Sequence, residues 1–422
     1  MDYRITQEAL GLYNSTRRNP NVIRIGIRLK MDVDPEALRY AVDRCAERYP
    51  YLCIELKQRD GDWVLASNSR PVVISDSRDG VALGSDKANR HLIAFSYNDA
   101  WINFDISHAL TDGAGAYEVV RTLLYYYCSL RYDVSLSTEG IRLPGDEISP
   151  DEWEDPLLRL TDVKPRVPAE IGPALCLSEE SGIEISEHHR AWDIAIDEKE
   201  FMRFNSENDG SPGTMTALFL SRAIEKIHPA CTKDIRLLLA VNMRPALRAP
   251  LARQTLVGGV MLDYKPVMRK WPLEKQTTAY RGMVFVQTME DRVLAEAAGQ
   301  KALSETILSL DTDRERRELA INASAAADSI LTAGVSYVGR ARFGDAERFV
   351  RDFRLHTNSI GRTPLIEISA VNGRFILSFI QPFEDDRYIN SFLEELDDNY
   401  VAYSMLDAGR VRLPGVELPF DN

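Results

Sequence analysis

Prolines at positions 144, 150, 156, 165, 168 and 173, with acidic residues clustered between them, allow no long helix or strand across that stretch of the 422-residue chain. Proline removes a backbone donor and clashes with the preceding turn, so periodic structure must lie on either side of it. On both sides strand-like and helix-like patterns alternate, which is the signature of α/β architecture. The expected organisation is two α/β domains, 1–180 with the connector at its end and 181–422, within the two or three domains that ~150 residues per domain would allow.

In the first half Ile23, Ile25, Ile27 and Leu29 recur at period two, giving a strand over Val22–Leu29. Asp34 followed by Pro35 is a helix start, an N-cap with proline at the first helical position. That helix carries Leu38, Ala41, Val42 and Cys45 on one side and stops near Pro50. Short strands are expected around 52–56, 63–66, 71–74 and 91–97, then over Trp101–Ile106. A helix with Val119, Val120, Leu123, Leu124 and Tyr127 as its apolar stripe follows over 113–130.

In the second half the patterns predict a strand over Trp192–Ile196 and a helix over Thr214–Ile227. Ile235–Val241 reads as a buried strand and Val257–Tyr264 as its successor. Two helical stretches, about Leu273–Ala297 and Arg314–Leu331, precede a short strand at Gly334–Val338. Leu365–Val371 and Arg374–Gln381 flank Asn372-Gly373, a two-residue hairpin turn. A terminal helix is expected over Asp386–Tyr403.

The formal charge of −13 bears on partners. Nucleic acid and anionic membrane are held by Lys and Arg that neutralise phosphates, and no basic run is present to do so. The first residues contain no apolar core of signal-peptide type, and the longest apolar stretch, Leu237–Val241, is far below the ~18 residues that span a bilayer. Cys45, Cys53, Cys128, Cys176 and Cys231 form no C-x-x-C pair, and their odd number argues against a disulfide framework. The expectation is a cytoplasmic protein, without membrane insertion or metal, whose cysteines are small core residues.

Chemistry concentrates at Phe104-Asp-Ile-Ser-His108-Ala-Leu-Thr-Asp112-Gly113-Ala-Gly115. A histidine at the end of a strand, just before a turn into a helix, is held by the sheet yet sits where the chain emerges. An imidazole there, with an ordinary pKa of about 6.5, is able to accept a proton near neutral pH. Asp112 is placed to cap the helix, and the glycines permit a tight turn. A second His-x-x-x-Asp, His189 to Asp193, lacks the glycine and runs straight into a strand, so His188 and His189 read as exposed linker residues. Ser107 and Thr111 are turn residues and candidates for touching substrate. Tyr125, Tyr126 and Tyr127 fit a core and rim better than a binding platform. His356 and Asn358 fall in a Gly-flanked loop placed to close over a site.

Ser107-His108-Ala-Leu-Thr-Asp112-Gly113 resembles the active-site motif of the chloramphenicol acetyltransferase-like superfamily. That superfamily includes peptide-synthetase condensation domains, plant BAHD acyltransferases, polyketide-associated acyltransferases and bacterial alcohol acetyltransferases. Asp34-Pro-Glu-Ala-Leu38 through Arg48-Tyr-Pro-Tyr-Leu52 resembles the family's early helix and strand. Val241-Asn-Met-Arg-Pro245 followed by Gly258-Gly259 resembles its second-half core strands. The resemblance implies two related α/β domains in a V, mixed sheets with flanking helices, and a central tunnel with the histidine at its middle. It implies that His108 deprotonates an alcohol or amine, which attacks an acyl thioester of coenzyme A or of a phosphopantetheine arm, with no permanently bound cofactor. It implies Asp112 and Arg244 as a structural pair and Gly113 as a close-approach position near the thioester oxygen. An acyl carrier protein is a further partner it allows, and a monomer is expected because two halves already form the site.

Two departures narrow the resemblance. Condensation domains carry two adjacent histidines, and Ser107 stands at the first position. The Asp-Phe-Gly-Trp-Gly signature of the plant enzymes is missing, and Val257–Tyr264 stands roughly where it would be sought. The stand-alone bacterial alcohol acetyltransferase-like and polyketide-associated groups fit best. The alternative is a condensation-like module that binds a carrier protein or an acyl chain without turnover, leaving His108 dispensable.

Overall fold

The computed structural model describes residues 2–16, 19–166, 171–177, 179, 185–186, 188–357 and 363–420. Its architecture is mixed α/β, built on two large sheets and one small one. The first large sheet has five strands in the order Val350–His356, Val22–Leu29, Trp101–Ser107, Ile93–Asn98, Ile74–Asp76. Helices Pro35–Arg48 and Gly113–Arg131 pack against each other, and their apolar stripes share one core with Ile23, Ile25, Phe104 and Ile106. The Asp34 carboxylate caps the first of these helices by accepting from the N–H groups of Glu36 and Ala37. The small sheet pairs Asp2–Arg4 and Ile54–Arg59 with Asp62–Ser67.

The second large sheet has seven strands. Their order is Val257–Tyr264, Ile235–Asn242, Ala333–Arg340, Leu365–Val371, Arg374–Gln381, His189–Asp197, Tyr403–Val411. Helix Pro212–Ile227, whose Ser211 and Thr214 cap each other reciprocally, packs on it beside helix Arg387–Asp398. The Asn372-Gly373 turn has positive φ at both residues (49° and 73°), which a two-residue hairpin of matching twist requires. No helix among the described residues is long and apolar enough to cross a membrane. Cys45 and Cys128 are buried, and Cys53, Cys176 and Cys231 are partly exposed.

The structure corrects several expectations. The helical stretch drawn over Leu273–Ala297 is two helices, Leu273–Gln287 and Glu290–Leu308, because Met289 adopts an extended backbone that side-chain spacing does not announce. Helix Glu198–Glu207, capped by Asp197, lies in a stretch where no element was expected. The terminal helix ends at Asp398, and Tyr403–Val411 is an edge strand none of whose residues is buried. His189 is no exposed linker residue: it opens a strand, and burial together with the neighbouring His188 pushes its pKa down to about 4. His188 is exposed.

The largest correction concerns Val350–His356, where no strand was expected and whose last residue was read as part of a loop. It is a strand, and it joins the sheet of the other half by pairing antiparallel with Val22–Leu29. The division at 180 and 181 therefore cuts the sequence but not the sheets. Phe353 and Leu355 enter the core, while Asp352, Arg354 and His356 point into a buried polar layer, so apolar alternation is hidden. His356 is buried and bonds Asp193 at 2.9 Å, so it closes over nothing; Asn358 lies outside the described residues.

Asp193 also accepts from Ser378 Oγ at 2.6 Å and Arg354 Nη1 at 2.8 Å. Burial alone would raise its pKa, but His356, Arg354 and Ser378 together hold the carboxyl well below the usual range. A carboxylate depressed in the folded state contributes stability above its unfolded pKa and loses it as pH falls toward the folded one. Asp193→Asn should therefore be less stable than wild type near neutrality and lose less further stability on acidification through the carboxylate range. Thermal unfolding as a function of pH measures both.

Candidate active site

His108 lies one residue beyond strand Trp101–Ser107, in the short loop that leads into helix Gly113–Arg131. Its main chain is held from two sides. Its N–H donates to the Asn21 carbonyl at 2.8 Å, and its own carbonyl accepts from Thr255 Oγ1 at 2.6 Å. The backbone is thus fixed, while the half-buried ring makes no hydrogen bond to any described residue. The ring lines a cavity of about 370 Å³ whose walls come from both large sheets, including Val22, Leu238, Ala240, Val335, Leu355 and Glu367.

Asp112 caps the helix through Gly115 N–H at 3.1 Å. Its two oxygens also take Arg244 Nη1 and Nη2 at 2.8 and 2.9 Å and Leu256 N–H at 2.9 Å. Arg244 spends its remaining donors on the Ala252 and Gln254 carbonyls and on Asn242 Oδ1. Both side chains are buried. A carboxylate with four donors and a bidentate guanidinium has no free lone pair aimed at a reacting atom. Its work is structural: it ties the His108 loop to the loop that follows strand Ile235–Asn242.

Gly113 lies against strand Ala333–Arg340, where a Cβ would stand 2.5 Å from Val338 Cγ2. The missing side chain lets the helix start approach that strand. Gly113→Ala should cost about 1–3 kcal/mol by overpacking, read as a shift in the denaturation midpoint, and should displace the loop that carries His108.

Ser107 and Thr111 do not reach substrate space. Ser107 is fully buried and accepts from the Ala109 N–H, while Thr111 is buried and donates to the Arg253 carbonyl at 2.5 Å. Neither lines the cavity, because both face the loops that clamp the His108 segment. The tyrosine run also stays off it: Tyr127 is core, and Tyr125 and Tyr126 pack edge to face.

Other residues of the site gave no signal in the sequence. Arg253, in the loop after Arg244, donates to the Leu110 carbonyl at 2.6 Å and pairs with buried Glu8 at 3.1 Å. Thr255 and Leu256 complete the clamp. Nothing distinguishes such loop residues until the two halves meet. Glu367 is different, since a lone acid inside the otherwise apolar run Leu365-Ile-Glu-Ile-Ser-Ala-Val371 was open to notice. Among the described residues no cluster of His, Cys, Asp or Glu suits a metal ion.

No family model matches the sequence, and no curated protein matches it. Solved structures do match in fold. Polyketide synthase associated protein 5 from Mycobacterium tuberculosis aligns over 94% of this chain and 98% of its own at TM-score 0.60 and 15% identity. TRI101 from F. sporotrichioides, complexed with coenzyme A and T-2, aligns over 96% and 99% at TM-score 0.59 and 12% identity. The epimerization domain from the third module of tyrocidine synthetase B aligns over 95% of both chains at 0.58 and 14%. The chain has the chloramphenicol acetyltransferase-like fold. The alignments cover 94–96% of this chain, which takes in both large sheets.

Proposed function

We propose that the protein is an acyltransferase that moves an acyl group from a thioester to an alcohol or amine, with His108 as general base. The observation that carries this reading is the contrast between two neighbours. The His108 ring bonds to no described residue and faces a cavity bounded by both sheets, whereas Asp112, four residues on, has every lone pair engaged. The cavity is proposed as the middle of a tunnel between two lobes of a V.

In the reaction, His108 accepts the proton of the acceptor O–H or N–H as the freed lone pair attacks the thioester carbonyl carbon. The carbon–sulfur bond then breaks and the imidazolium returns its proton to the leaving thiolate, so no covalent enzyme intermediate and no metal are needed. A base held in hydrogen-bond reach lowers the barrier by positioning and proton transfer together. The N-terminus of helix Gly113–Arg131 opens at the cavity wall, and Gly113 is the proposed donor to the developing oxyanion. Coenzyme A bound in TRI101 supports coenzyme A as the donor's carrier, and a carrier-protein phosphopantetheine presents the same thioester.

The test is thiol release from acyl-coenzyme A of several lengths, with a panel of alcohols and amines. Acceptor-dependent release, with stoichiometric ester or amide, is expected. Tight thioester binding without release for any acceptor would instead identify a binding module.

A further inference from the structure

The reaction proposed above leaves the carboxyl groups of Glu367 and Asp328 in the cavity unused. Glu367 sits on the central strand Leu365–Val371 with its side chain turned toward the five-stranded sheet, and it lines the same cavity as His108. It is 4% exposed. Its Oε1 accepts from Thr357 Oγ1 at 2.8 Å, while its Oε2 has no hydrogen-bond partner among the described residues. The Tyr117 hydroxyl, close enough to feel the Glu367 charge, is likewise buried without a partner. A buried carboxylate oxygen is normally paired, and one left open in a substrate cavity marks a contact that the substrate completes.

The other charges around the cavity decide the sign of that contact. Arg244 is consumed by Asp112, and Asp328 at the wall adds a second carboxyl that burial pushes up to about 6. Among the described residues of the wall His108 is the other ionisable base, and none of them supplies a fixed positive charge free to balance Glu367. Anionic acceptors are disfavoured by this wall and cationic ones favoured.

We propose that Glu367 is a specificity-determining residue that receives an ammonium group of the acceptor on Oε2 while the acceptor's nucleophilic hydroxyl or amine meets His108. The acceptor class is then an amino alcohol or a diamine. The assignment rests on the acyltransferase reading, to which it adds the acceptor's second functional group. Burial raises the Glu367 pKa in the free protein, with the Ser336 and Thr357 hydroxyls and the charges of His108 and His356 opposing it. An arriving cation would favour the ionised form, so part of the binding should appear as proton release.

The experiment uses matched pairs, an amino alcohol and the neutral alcohol of the same length, with the full chain. Thiol release gives the ratio of kcat/KM for the two, and calorimetry in two buffers gives binding and proton release without any donor. Wild type should prefer the amino alcohol, and Glu367→Gln should shrink the ratio by about 10- to 100-fold, as expected for a hydrogen bond to a charged group. A purely structural role would lower both rates together and leave the ratio unmoved. Glu367→Asp keeps the charge one methylene back and should retain part of the preference, which guards against a folding defect in the glutamine variant. No preference in wild type, or a preference that survives Glu367→Gln, overturns the proposal while thiol release still upholds the acyltransferase. Absent release with every acceptor overturns the underlying reading, and the calorimetric ratio then decides separately whether Glu367 holds the cation.

Discussion

His108→Ala should lose about 10²–10⁴-fold in turnover, the usual contribution of a positioned base. The substitution removes a half-buried ring that bonds to no described residue, so no buried partner is orphaned. The unfolding midpoint should stay close to that of wild type, and the KM for the acyl thioester should change little, because the ring acts on the acceptor's proton. Single-turnover thiol release with acceptor in excess separates this step from product release. Near-normal release by the alanine variant would remove His108 from the chemistry.

Arg244→Ala should produce the opposite pattern, a large loss of stability with activity falling as its consequence. The substitution strips both guanidinium bonds from a buried carboxylate and leaves the Ala252 and Gln254 carbonyls unpaired. Breaking a buried, hydrogen-bonded ion pair from one side costs about 3–5 kcal/mol. Arg244→Lys should recover little, since an ammonium cannot reproduce the two parallel bonds. Asp112→Asn keeps the shape and the helix cap but loses the charge pairing, and should fall between wild type and Arg244→Ala. Chemical denaturation followed alongside thiol release tests this. A stable Asp112→Asn variant with no turnover would mean that Asp112 acts in the chemistry after all.

The strands whose apolar residues alternate or run unbroken were legible in the sequence, and Val22–Leu29, Val257–Tyr264 and the hairpin around Asn372 match the structure end to end. Each buries one face or both against helices, so burial writes its period directly into the residues. Val350–His356 was not legible because its inward face is charged. Asp352, Arg354 and His356 are neutralised by Arg374, Asp193 and Asp407 from distant parts of the chain, partners that no local pattern encodes. Tyr403–Val411 was hidden for a simpler reason, as an edge strand half in solvent has little apolar face to show.

The site divides in the same way. His108, Asp112 and Gly113 are close in sequence, and their spacing follows from a strand end, a cap and a tight helix start. Arg253, Thr255 and Glu367 act only once loops from the two halves close on each other. Ser107 and Thr111 are the turn residues expected, but adjacency in sequence to a catalytic candidate says nothing about which way a turn residue faces. In this loop both face protein.

The central claim is that the His108 ring and the thioester carbonyl share the cavity between the two sheets. A structure of the protein soaked with coenzyme A and an acceptor alcohol or amine tests it most directly. The account predicts the pantetheine arm entering that cavity with its thiol beside the His108 ring and the acceptor's nucleophile in hydrogen-bond contact with the imidazole. Coenzyme A bound elsewhere, with the imidazole walled off from both ligands, would contradict it.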